Sequence, residues 1–183
     1  MSDRRSPLEL DLGTLSEIPG ASPRVTADLA LAASVVLDRL HPERQDDPAT
    51  VQHGRAQHHA LIRRVAVEER DRAWKADHLK ATEQGGEAMA VLTAYRLLNR
   101  VVVRRLQTDT GADYLVRPVG AVGDDSLERL ECSGIGDGKE TTAHRLSTKL
   151  AQLARYPDEP PGHAIVTNFG TAPVEIHIGS TER

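Results

Sequence analysis

Residues 111–134 read GADYLVRPVGAVGDDSLERLECSG. Two short β-favouring runs flank a Gly/Asp turn: ADYLVRPV, closed by Pro118, then GAVGDD, then SLERLECSG. Alternation along the second run puts Leu127, Arg129, Glu131 and Ser133 on one face and Glu128, Leu130 and Cys132 on the other. Downstream, a loop with Gly134, Gly136 and Gly138 leads into a predicted helix from Glu140 to about Tyr156, with Leu146, Leu150 and Leu153 as its core stripe. DEPPGH is a turn, and HAIVTNF and PVEIHI form a hairpin about Gly170-Thr171-Ala172. Upstream, Gly85-Gly86 breaks the pattern and Glu87 opens a helix to about Gln107, whose apolar side is Val91, Tyr95, Leu98, Val102 and Leu106. Its opposite side carries Arg96, Arg100 and Arg104.

The N-terminal part reads differently. Met1 to Pro23 is rich in Ser, Pro, Gly and charge around a short alternation of Leu8, Leu10 and Leu12, which predicts an extended arm. ADLALAASVVLDRL predicts a helix ending at His41-Pro42, and a second helical segment runs from Pro48 or Thr50 to about Lys80 with a thin stripe of Val51, Ala56, Leu61, Val65 and Trp74. The expected layout is therefore an arm over residues 1–24, a helical region over 25–84, and an α/β (α+β) body over 85–183 in the order α-β-β-α-β-β with a small mixed sheet.

A chain of 183 residues suits one domain with an extension. Hydrophobic residues at 39% and charged residues at 27% allow a packed core, but aromatics are only 3%, so that core must be aliphatic and a binder stacking successive bases on rings is excluded. The net charge of −4 does not advertise a polyanion partner, so a nucleic-acid site must be local. A single cysteine, Cys132, forms no intrachain disulfide or Cys-rich zinc site, and fits a reducing cytoplasm. No apolar run approaches 18 residues and MSDRRSPLELDLG lacks the apolar segment of a secretory signal, so a cytoplasmic chain without a membrane partner is expected.

Three constellations fail on spacing or chemistry. GIGDGKET (134–141) puts Glu140 where a phosphate loop needs a hydroxyl. His53, His58 and His59 are spaced 5 and 1, not the 3 or 4 that a shared metal on a helix needs. Cys132 points away from Glu131, with no base suggested beside it, and reads as core.

Gly111-Ala112-Asp113-Tyr114 followed by Leu130-Glu131-Cys132-Ser133-Gly134 resembles the PD-(D/E)XK nuclease family, over roughly Glu87 to Ile178. In that family a helix precedes a small sheet, an Asp sits near the start of one strand, and the next carries Glu-x-Lys. The resemblance implies Asp113 and Glu131 as ligands of a Mg²⁺ ion that activates water against a phosphodiester in DNA or RNA, since a hard cation takes oxygen ligands. The chain departs at the lysine, where it has Ser133; Lys149 or Lys139 would have to supply the charge. By helix periodicity alone Lys149 reads as a solvated surface lysine. Glu87 reads as a helix-start carboxylate, or as the extra acid some members carry.

Two functions follow as expectations. One is a metal-dependent, prokaryotic-type nuclease module using Asp113, Glu131 and Lys149, with Arg96, Arg100 and Arg104 on phosphates. The other is a non-enzymatic subunit docking through its N-terminal helices on a protein partner or a second copy.

Overall fold

The computed structural model describes residues 6–107, 111–137 and 139–181; residues 1–5 of the expected arm and Gly138 of the expected glycine loop lie outside them. The C-terminal elements form where the sequence places them: β5 (Tyr114–Pro118), β6 (Glu128–Ile135), α4 (Thr142–Ala154), β7 (Gly162–Asn168) and β8 (Val174–Ser180). Thr141 caps α4 by accepting from the His144 N–H.

The arm is no arm. Its Leu alternation makes β1 (Leu8–Asp11), and Leu10, Leu12 and Leu15 are fully buried. α1 (Pro23–Leu40) starts with Pro23 in its first turn and buries Leu29, Ala33, Val36 and Leu37, so the expected helix is present but belongs to the core. The second expected helix is absent over its first half. Asp46–His53 and Ala56–Arg63 are strands β2 and β3, paired antiparallel around the two-residue turn Gly54-Arg55, with Gly54 at φ 57°. The inward residues Asp47, Ala49 and Val51, then Ala60 and Ile62, recur every second position, and that period outweighs the sparser helical spacing. A short helix α2 (Glu69–Trp74) follows.

The third expected helix is displaced. α3 spans His78–Arg96 and contains Gly85 and Gly86, while RVVVRR is strand β4 (Arg100–Arg105), entered through Asn99 at φ 56°. The β-branched valines favour the strand. The glycines do not break the helix; they let it approach. A Cβ on Gly86 would lie 2.4 Å from the Gly134 nitrogen, and one on Gly134 would lie 2.1 Å from the Thr82 carbonyl oxygen. α3 thus lies backbone to backbone on β6, a position only glycine permits. Gly134→Ala should cost about 3 kcal/mol or more, because neither neighbouring backbone can yield, and thermal denaturation of the variant checks this.

The described residues form one mixed sheet of eight strands in the order β1-β3-β2-β8-β7-β6-β5-β4. β4, β5 and β6 are an antiparallel meander; α4 crosses over to β7, parallel to β6; β8 returns antiparallel and joins the N-terminal strands through β2. The sheet is mixed α/β as expected, but larger, and the region expected to be helical supplies part of it. α1 and α3 cover one face over the main core, and α4 covers the other, its Leu153 packing with Ala112 and Ala164.

One ion pair ties these layers. Arg64 donates to both carboxylate oxygens of Asp47 at 2.6 and 2.8 Å and to the His41 carbonyl at 2.9 Å; His41 in turn reaches the Phe169 carbonyl.

Candidate functional site

β6 presents Arg129, Glu131 and Ser133 to α4, while Leu130 and Cys132 enter the core under α3, the alternation expected from the sequence. The last β5–β6 partners are Tyr114 and Leu130, and Asp113 is the next residue out. Its N–H donates to the Leu130 carbonyl (3.0 Å), its carbonyl accepts from Leu106 (2.8 Å), and its Oδ2 accepts from the Cys132 N–H (2.8 Å). A carboxylate locked in this way is immobile on the β6 edge, one residue from Glu131.

Glu131 is almost fully buried, and Lys149 Nζ lies 2.5 Å from its Oε1. Gln152 takes part too, accepting from Lys149 at 3.4 Å. Burial first, and the like charge of Asp113 second, raise the Glu131 carboxyl to about 7 against the opposing pull of Lys149 and Gln152. Lys149 is therefore not the solvated lysine that periodicity suggests. Lying one position off the leucine stripe places it at the boundary of the packed layer, where its stem is covered and its head reaches the sheet.

This titration has a sign. Between about 4.5 and 7 the folded chain holds a proton that the unfolded chain releases, so this group's contribution to stability falls as pH rises through that window. Glu131→Gln should gain on the wild type by up to about 3 kcal/mol between pH 4.5 and 8, read from thermal denaturation without divalent cations.

Ser133, at the position where the resemblance expects lysine, accepts from Arg145 Nη1 at 3.1 Å; the same guanidinium is paired with Glu140. Sequence reading did not single out Arg145. The available signal is its spacing: Arg145, Lys149 and Gln152 are four and three apart and share one side of α4. Lys139 is not brought to Glu131; it lines a cleft of about 510 Å³ with Arg39, His78 and Arg145.

Glu87 is neither at a helix start nor beside Glu131. It lies within α3 and accepts from the Tyr114 hydroxyl (2.7 Å) and Arg105 (3.1 Å), with the Arg105 guanidinium over the Tyr114 ring. The arginine stripe does not exist as a surface. Arg96 ends α3 and donates to Thr14, Arg100 in β4 is held bidentately by Glu128, and Arg104 is exposed on the same strand past a register shift. Cys132 is buried, as expected, and burial pushes its thiol well up.

Among the described residues no three His, Cys, Asp or Glu side chains converge as a metal cage. Two carboxylates still suit Mg²⁺, which binds through one or two of them and keeps its remaining places for water and phosphate oxygens. A divalent cation would also relieve the like charge that Asp113 exerts on the buried Glu131. No family model matches the chain, and no curated protein or solved structure does either. No described helix is long and apolar enough to cross a membrane.

Proposed function

We propose that the chain is a metal-dependent phosphodiesterase of the PD-(D/E)XK nuclease type, acting on DNA or RNA. The observation carrying this reading is the contact of Lys149 with the buried Glu131 between β6 and α4, with Asp113 held on the N–H of the next residue, Cys132, and its charge acting on Glu131. A helix, a three-stranded meander, a crossover helix and a parallel strand surround them, one strand more, β4, than the α-β-β-α-β-β order expected from the sequence.

Asp113 and Glu131 would hold Mg²⁺, which when bound polarises a phosphoryl oxygen and lowers the pKa of its water. Lys149 contributes fixed positive charge beside Glu131, offsetting negative charge that grows on the phosphate, and Gln152 helps orient Lys149. Arg145 supplies a second cation at Ser133, in place of the missing lysine. The test is incubation of the full chain with plasmid DNA and with RNA in Mg²⁺ or Mn²⁺: cleavage that stops on chelation supports the reading, and none on either polymer contradicts it.

The second reading, a non-enzymatic interaction subunit, is favoured by the closed Glu131–Lys149 pair, in which each charge already has its partner, as in a helix pinned to a sheet. Docking on a protein or a second copy would not then use α1, whose apolar residues are spent in the core.

A further inference from the structure

A groove of about 420 Å³ runs between the first turns of α1 and the N-terminal half of α3. At its inner end stand Glu87 and Arg105, and the Asp113 charge acts on Arg105. At its outer end the groove shares Asp28, Lys80 and Gln84 with a smaller recess of about 130 Å³ walled by Trp74. It therefore runs on the α1–α3 side of the sheet from Glu87 and Arg105 to the sole tryptophan of the chain.

Its charges are unevenly used. Lys75 donates to both oxygens of Asp28 at 2.9 Å, and Glu87 is taken by Tyr114 and Arg105. Glu83, which also lines the groove, is in no ion pair among the described residues. Arg24 and Lys80 pair with no carboxylate among the described residues. In a chain of net charge −4, this groove keeps two uncommitted cations, Arg24 and Lys80, against one uncommitted carboxylate, Glu83. Trp74 is 83% exposed, against the usual high average burial of tryptophan.

The geometry points to a track for single-stranded nucleic acid, in which Arg24 and Lys80 hold phosphates and Trp74 stacks on an unpaired base. A base inside a duplex is already stacked and offers Trp74 no face, which selects the single strand over the double. From Asp77 at the start of α3 to Glu87 is about 15 Å at 1.5 Å per residue, a span of about four stacked nucleotides at about 3.4 Å each. The track does not rest on the phosphodiesterase reading: it lies on the α1–α3 side of the sheet, and the Glu131–Lys149 contact on the α4 side. One ring suffices here, so the low aromatic content excludes a series of stacked bases and not a single terminal one.

Because Trp74 is the only tryptophan, its emission reports directly on the track. The full chain, in EDTA to prevent cleavage, is titrated with an eight-residue oligothymidylate and with a duplex of equal length. Saturable quenching by the single strand, and little by the duplex, is expected. By anisotropy of a labelled oligonucleotide, Trp74→Ala should weaken binding about tenfold, and Arg24→Glu with Lys80→Glu should weaken it further while flattening its salt dependence. Binding unchanged in both variants, equal quenching by duplex, or no binding at all would overturn the track. If Asp113→Ala abolishes cleavage while Trp74→Ala and the charge reversals bind as wild type, the track fails and the enzyme reading stands. Single-strand binding through Trp74 without any cleavage has the opposite meaning.

Discussion

Replacing Arg64 by methionine is expected to destabilise the chain by about 4 kcal/mol, the cost of leaving a buried carboxylate without its partner. Asp47 is wholly buried and the Arg64 side chain nearly so, and the pair is bidentate, so the charge left on Asp47 meets neither water nor another cation. The same substitution removes one of the two donors to the His41 carbonyl at the end of α1, leaving the Arg44 N–H. For a chain of this size the loss corresponds to a fall in Tm of about 8–16 °C. Converting Asp47 to leucine in the same background should restore much of it, because an apolar pair of similar volume replaces a buried ion pair at little cost. A double variant no more stable than the single one would show that packing, not the stranded charge, sets the loss.

The second large effect concerns chemistry. Asp113→Ala and Glu131→Ala are each expected to lower Mg²⁺-dependent cleavage on the order of 10³-fold, equivalent to about 4 kcal/mol of transition-state stabilisation. Lys149→Met should lose roughly 10²–10³-fold, as for other single groups that face developing charge. Lys149→Arg should retain part of the activity, since it keeps the charge beside Glu131. Arg104→Ala should leave cleavage unchanged, because that exposed residue belongs to no arginine surface. Circular dichroism of each variant separates loss of chemistry from loss of fold.

The elements that could be read from the sequence are those whose period is clean. The strand holding Glu131 alternates faithfully, and α4 carries one leucine stripe, so both appear where expected. The errors lie where two periods compete or where a residue acts through space. Val51, Ala56, Leu61 and Val65 mimic a helix, yet the hairpin is set by the turn at Gly54-Arg55 and by a period of two. Gly85-Gly86 looks like a break until its distant neighbours Ala33 and Gly134 are known, because close approach of two backbones leaves no mark within a single segment. In the candidate site, Asp113 and Glu131 stood out by their place in consecutive strands. The contact of Lys149 with Glu131, and that of Arg145 with Ser133, depend on how α4 lies across β6, which local periodicity does not encode.

The central claim is that Asp113 and Glu131 together hold a divalent cation. Titration of Mn²⁺ into the wild-type chain, followed by the loss of the free-ion electron paramagnetic resonance signal, tests it without reference to substrate. Saturable binding is expected, abolished by both Asp113→Ala and Glu131→Ala and left intact by Arg104→Ala. Binding of the same strength in the two carboxylate variants, or none in the wild type, would contradict it.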